Sequence, residues 1–417
     1  MLVVVLVMAG ACVAQSFGRF TYGIVLPAVR DDLLGSNRAA GLLGTVNVGA
    51  YLAGTVVVAT LSTRIALARL VQIGLCLSTA GLLLASMADA PVVLGIALAI
   101  TGLGGAAIWI PSPRIASAAL PPHRRGLAAG LVGMGIGLGL VFAGQLSDVL
   151  RHGQGDESWR DVYRVEGVLG FVVLVACFAF LRHREAAPTA VVEGRAPAPG
   201  GSRGFAGFGA LRRIDGWLAL TGAYAAFGFM YLLVFAFFVA RLEDDAGFSP
   251  DRASTMFSVV GVAAVFGGVL LGPLSDRIGR RATMVGAFLA FGVSGLGVLV
   301  GRQPWVLLAS IGVGLSFAGL PAVIAAYVVD ATDATTYGPA YGAATLAFGV
   351  AQMAAPQLGG LIADWQGSFT AVFLLSATIA LAGAIVSSRL PEPRGRAAGG
   401  AGPEVPVGSE AGGGSDH

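Results

Sequence analysis

The sequence predicts an all-α membrane protein whose twelve transmembrane helices form two pseudo-symmetric six-helix bundles. Three observations predict it. Charge is scarce, apolar stretches long enough to cross a bilayer occur twelve times, and the second half of the chain repeats spacings of the first.

The charge comes first. Of 417 residues 56% are hydrophobic and 12% charged, with a mean hydropathy of +0.80. Soluble proteins carry about 25% charged residues, so a soluble globule of this length would lack the polar surface to cover its core. An ordinary cytosolic enzyme and a disordered chain are both excluded. The 63 glycines follow no period of three and suit helices packed closely in lipid. A net charge of +3 is too small for a nucleic-acid partner. The 26 basic residues are all arginine, a bias of composition. Cys12, Cys76 and Cys177 sit in separate apolar runs, with neither a disulfide framework nor a metal spacing, so no metal and no cofactor is expected.

A helix needs about 20 apolar residues to cross the hydrocarbon. On that basis the spans lie near 1–27, 39–62, 66–88, 91–118, 126–148, 162–182, 214–240, 252–274, 282–301, 304–329, 338–363 and 368–389. The organisation is an N-terminal bundle (1–182), a cytoplasmic linker rich in Pro, Gly, Ala and Arg (183–213), a C-terminal bundle (214–389) and a low-complexity, disordered cytoplasmic tail (390–417). Twelve spans put both termini on one side. That side collects sixteen arginines, among them Arg64, Arg69, Arg124, Arg125, Arg277, Arg280 and Arg281. The other side has eight, from Arg30 and Arg38 to Arg302, which places both termini and the linker in the cytoplasm. The expected location is a bacterial cytoplasmic membrane. Val3 to Ala14 resembles a signal-peptide core, but no basic residue precedes it and the apolar run resumes after Arg19, so it reads as part of the first span.

The repeat is legible at a nearly constant offset. Gly102, Gly104 and Pro111 fall 210 positions before Gly312, Gly314 and Pro321. Gly126, Gly130 and Gly137 fall 212 before Gly338, Gly342 and Gly349, and Arg64-Ile65 falls 213 before Arg277-Ile278. Two related six-helix halves are the architecture of a transporter whose site lies between repeats near the membrane midplane.

The loop after the eighth span reads Gly272-Pro273-Leu274-Ser275-Asp276-Arg277-Ile278-Gly279-Arg280-Arg281. It resembles the G-x-L-x-D-R-x-G-R-[RK] motif of the major facilitator superfamily. The resemblance implies that Gly272, Asp276, Arg277, Gly279, Arg280 and Arg281 form a latch on the cytoplasmic side. Gly272 would permit close helix approach, Gly279 a tight turn, and Asp276 would pair locally or reach a helix N-terminus. In the first half the equivalent loop is degraded, with Thr63 and Ala66 at the positions of the acid and the glycine. Leu98 stands where the family's fourth span carries an arginine, and the glycine-rich fifth span lacks the Gly-Pro pair of the antiporter pattern. The first span, Gln15 to Tyr22 and on to Leu26-Pro27, resembles the YbfB/YjiJ-type branch, which implies no particular substrate.

One residue stands out as chemistry. Arg19 lies well inside a span, where an isolated arginine is unfavourable by about 2.5–3.5 kcal/mol and must face a partner or a water-filled cavity. Gln15, Arg19 and Tyr22 are spaced i, i+4, i+7 and fall on one helix face. A cation, an amide and a phenol on one face suit a carboxylate or a phosphate. Asn47 and Tyr51, Trp109 and Arg114, Tyr224 and Tyr231, and Gln352 complete the expected substrate pathway. For the amides and aromatics the competing reading is packing or interhelical hydrogen bonding, and for Arg114 it is snorkelling. No histidine lies in a span and no acid near a span centre; Glu166, placed about one turn inside the sixth, comes nearest. Any proton coupling is therefore expected to be indirect or carried by the substrate.

The expected function is secondary transport of a small organic solute, an organic anion or an amphiphilic metabolite, by alternating access and as a monomer. The alternatives are a non-transporting sensor, which would want a soluble signalling domain, and a membrane-embedded enzyme. The enzyme would need an Asp/His or paired-carboxylate set near the interface. Asp330 and Asp333 have no histidine beside them, so no catalytic residue is assigned.

Overall fold

The computed structural model describes residues 1–62, 64–121, 125–181, 206–333 and 336–392. Among them are twelve helices long and apolar enough to cross a membrane: α1 (Leu2–Leu34), α2 (Asn37–Leu61), α3 (Leu67–Ala85), α4 (Pro91–Ala118), α5 (Gly130–Gly153), α6 (Trp159–Phe180), α7 (Trp217–Asp245), α8 (Pro250–Ile278), α9 (Arg280–Leu299), α10 (Trp305–Ala331), α11 (Tyr337–Gln366) and α12 (Thr370–Ser388). Several of them outrun expectation, two through charged ends. α1 continues past Pro27 and α7 past Ala240, because their charged ends, Arg30–Leu34 and Arg241–Asp245, stay helical as wide π turns. A hydropathy scan stops at the first charges, whereas here those charges are paired with one another.

Local chemistry sets the breaks. Gly35 takes a φ of +70° to end α1, and Ser36 then caps α2 by accepting the Ala39 N–H at 3.2 Å. α4 is interrupted between Trp109 and Ser112, at Ile110-Pro111, as expected where proline removes a backbone donor. Most of the expected linker and tail lies outside the described residues. Its last portion is described: Ala206–Leu211 is a short helix, and Leu211 and Ile214 are buried.

The halves repeat each other's packing. α3 lies on α4 and α6 as α9 lies on α10 and α12, and α2 meets α4 as α8 meets α10. Gly102 lets α4 approach the Asn47 carbonyl of α2, and Gly314 lets α10 approach the Val260 carbonyl of α8; a Cβ at either would come under 3.0 Å from that oxygen. This corrects the repeat register. Gly102 is equivalent to Gly314, 212 positions on, rather than to Gly312, and that agrees with the other segments of the repeat. Large apolar side chains such as Phe171, Phe178, Phe266 and Val293 face outward, where lipid would cover them.

Among the described residues the halves meet mainly through α1 with α7, α2 with α11 and α5 with α8. All are tight toward the face away from Met1. Added Cβ atoms at Gly23, Gly41, Gly144 and Gly360 would come under 3.0 Å from atoms of the opposite half. Polar ties reinforce this far face. Arg30 pairs with Asp244, Arg151 with Glu243 at 2.6 Å, and Asp364 accepts the Asn37 and Arg38 amides at 2.9 and 2.8 Å. The Arg151 and Glu243 side chains are only 1% and 10% exposed. At the face of Met1 the picture reverses: Gly130, Gly133, Gly272 and Gly342 have nothing within 4 Å of an added Cβ. The bundle halves diverge there, so the seam opens toward the face of Met1.

Candidate functional site

At the middle of the seam, Arg19 sits in a wide π turn of α1, Cys12–Phe20, which carries i→i+5 bonds in place of i→i+4. Its Nη2 donates to Gln352 Oε1 on α11 at 2.8 Å, across the two halves. Gln352, 2% exposed, donates in turn to the Tyr231 hydroxyl on α7. The guanidinium lies 5.2 Å from the Tyr51 ring centroid and 5.6 Å from that of Phe20. Gln15 borders the Tyr51 hydroxyl. Arg19 Nε is buried without a partner, and among the described residues no carboxylate pairs with this arginine. A cation is held near the membrane middle by an amide and two aromatic faces.

From this point a file of rings leads toward the face of Met1. Tyr231 stacks on Phe227 at 5.0 Å, and Phe227 on Phe348 at 5.7 Å. Phe348 stacks on Tyr224 at 4.5 Å, Tyr224 on Tyr341 at 5.9 Å, and Tyr341 on Tyr337 at 5.6 Å. The Tyr224 and Tyr341 hydroxyls are 3.1 Å apart. On the other side of Tyr231, Phe317 and Phe235 carry the aromatic contacts to Phe20 beside Arg19. Tyr337, Tyr341, Phe348 and Phe317 were not expected from the sequence. Tyr337 and Tyr341 are four apart on the first turns of α11, a spacing that could have drawn notice beside Gln352.

The expected pathway residues therefore separate. Gln15, Arg19, Tyr51, Tyr224, Tyr231 and Gln352 converge. Tyr22 does not, because the wide turn shifts the register after Arg19; its buried hydroxyl donates to the Ala40 carbonyl at 2.8 Å. Asn47 is buried and its Nδ2 faces the Gly18 and Leu98 carbonyls and Thr101 Oγ1, at 2.9, 2.8 and 3.0 Å, so it clamps α1, α2 and α4. Trp109 and exposed Arg114 flank the break in α4, and no hydrogen bond or ring contact joins them to Arg19 among the described residues.

The expected latch lies at the diverged face. Arg280 pairs with Asp276 at 2.6 Å and with Asp330 of α10 at 2.8 Å, and Arg281 reaches Glu392 at 3.8 Å. Gly279, with φ +94°, makes the turn between α8 and α9, while Arg277 is exposed. Gly272 has no neighbour within 4 Å of a Cβ, so the close approach expected of it is not made with the halves apart.

The absence of an interior acid is corrected as well. Glu166 is seven residues into α6, about 10 Å of helix rise, and is completely buried. Thr21 Oγ1 lies 2.6 Å from its Oε1.

A family model described as "Uncharacterised MFS-type transporter YbfB" matches residues 11–388. Among curated proteins the chain is 27% identical over 394 residues to monocarboxylate transporter 13 of Bos taurus, covering 91% of this chain and 85% of that one. It is 24% identical over 385 residues to the gentisate transporter of Corynebacterium glutamicum, covering 90% and 84%. Among solved structures, that of a D-xylose-proton symporter superposes with a TM-score of 0.72, at 16% identity, over 95% of this chain and 99% of the other. A bacterial homologue of the human lysosomal transporter Spinster, in an inward-facing and unoccupied conformation, superposes at 0.70 with 15% identity, over 92% and 94%. These two likenesses bear on the fold alone.

Proposed function

The chain belongs to the YbfB-type family of major facilitator transporters, and on that premise we propose that its cargo is a small organic anion, an aromatic or amphiphilic carboxylate, carried by alternating access. The observation that carries this reading is Arg19: a mid-membrane guanidinium with a free Nε, no carboxylate partner among the described residues, and a hydrogen bond spanning the seam. A carboxylate would supply the missing charge through paired hydrogen bonds, which arginine makes better than lysine. The ring file offers stacking to an aromatic or amphiphilic body behind that carboxylate. The names of two relatives, a monocarboxylate and a gentisate transporter, agree with this chemistry. The sixteen-to-eight bias in arginine supports cytoplasmic termini in a bacterial cell, and on that reading the open seam faces inward. Because Arg19 binds across both halves, an anion held there would draw them together and favour the occluded passage.

Thermal stabilisation of the purified protein by a panel of carboxylates tests the class, since a ligand that binds the folded state raises its melting temperature by mass action. The expected hits are aromatic monocarboxylates such as gentisate. Stabilisation by uncharged or cationic solutes alone would overturn the reading.

A further inference from the structure

We infer that Glu166 is a proton-binding site whose occupancy controls the wide turn of α1 that carries Arg19. Its surroundings give it no way to remain charged. It is completely buried; Oε2 has no partner, and among the described residues no arginine pairs with it. An ionised carboxylate in such a place is strongly unfavourable unless paired, whereas the neutral acid fits. The titratable groups that face it are the Tyr163 hydroxyl on α6 and the Cys12 thiol on α1, with Tyr22 beyond Tyr163, and none brings a positive charge.

The link to Arg19 is the Thr21 hydroxyl. Thr21 closes the wide turn: its backbone N–H makes the i→i+5 bond to the Ser16 carbonyl. Its Oγ1 stands 2.6 Å from Glu166 Oε1 and 3.3 Å from the same Ser16 carbonyl. Both neighbours are acceptors when Glu166 is ionised, and Thr21 has only one hydroxyl proton. With Glu166 protonated, the acid donates to Thr21 Oγ1 and Thr21 donates to Ser16, so both contacts are hydrogen bonds. Loss of the proton takes the Thr21 hydrogen to Glu166 and removes the side-chain bond from Ser16. The wide turn therefore has one more bond when the acid is neutral. Ser16 also anchors that turn to α5, its Oγ donating to the Ile136 carbonyl at 2.8 Å. Because Arg19 lies within the same turn, proton uptake at Glu166 and anion binding at Arg19 act on one element. The coupling role rests on the transporter reading; the protonated acid itself does not.

Two measurements test this separately. In the infrared spectrum of reconstituted protein at neutral pH, the wild type should show a buried carboxylic-acid C=O band. That band should be missing from Glu166→Gln and displaced in frequency in Thr21→Val, which keeps the acid and removes its partner. No such band in the wild type, or an unchanged band in Glu166→Gln, would overturn the protonated acid whatever the cargo is. In proteoliposomes loaded with a pH dye, an imposed gentisate gradient should move protons with the wild type. Glu166→Gln should exchange gentisate for gentisate at near-normal rate but move at least tenfold fewer protons. Undiminished proton movement in Glu166→Gln, or gentisate transport by the wild type without protons, overturns the coupling while leaving the anion reading standing. No gentisate transport by the wild type counts against the anion reading, and the infrared band then decides the proton site by itself.

Discussion

Arg19 of the first helix and Gln352 of the eleventh are hydrogen-bonded at 2.8 Å, the N-terminal half holding the C-terminal half at mid-membrane. The bond joins the cation that would bind cargo to the amide that senses the other half. Gln352 orients the guanidinium and is itself fixed by Tyr231. Gln352→Leu should weaken carboxylate binding by roughly 12- to 160-fold, since a hydrogen bond to a charged group contributes about 1.5–3 kcal/mol. Isothermal titration of the purified variant checks this, and an unchanged Kd would separate Gln352 from the site.

The ring file should act on cargo shape rather than on charge. Phe348→Ala removes stacking from both Tyr224 and Phe227. An aromatic pair is worth about 0.5–1.5 kcal/mol, so KM for an aromatic carboxylate should rise roughly 2- to 12-fold. KM for a short aliphatic carboxylate should stay within twofold. Equal effects on both would mean that the rings only pack.

Asn47 and Arg19 should behave differently under substitution, although both are polar residues in adjacent helices. Asn47→Ala loses the clamp on α1, α2 and α4 and leaves buried carbonyls short of a donor. Thermal unfolding should show a loss of about 1–3 kcal/mol, with KM of the surviving protein little changed. A raised KM at unaltered stability would put Asn47 back in the pathway.

The far-face ties should hold the state in which the seam is open at the face of Met1. Arg151→Ala leaves Glu243 buried without its guanidinium, a change that typically destabilises by about 3–5 kcal/mol. The closed far face should loosen, so a cysteine placed along the far-face seam should react faster with a membrane-impermeant thiol reagent added from that side. Unchanged labelling would show that the glycine contacts close that face without the ion pair.

Much of this was legible in the sequence, for identifiable reasons. Span number follows from the length of apolar runs, and Arg19 was conspicuous because any charge inside such a run is. The latch motif was legible because its residues are contiguous. What escaped depends on backbone geometry that composition does not encode. The i, i+4, i+7 argument for Tyr22 assumes a regular helix and fails at the π turn between Cys12 and Phe20. Glu166 lies within seven residues of the charged start of α6, which placed it only about one turn inside the expected span, yet it is completely buried with Thr21 against it. The pairing of Gly102 with Gly314 needed the helix contacts, since Gly102, Gly104 and Pro111 match better at an offset two residues shorter.

The most direct measurement of the central claim is gentisate counterflow in proteoliposomes containing wild type, Arg19→Lys or Arg19→Ala. The account predicts saturable counterflow by the wild type, a loss of at least tenfold in kcat/KM with Arg19→Lys, where the charge remains but the paired hydrogen bonds do not, and none above background with Arg19→Ala. Wild-type rates in folded Arg19→Ala protein would contradict it.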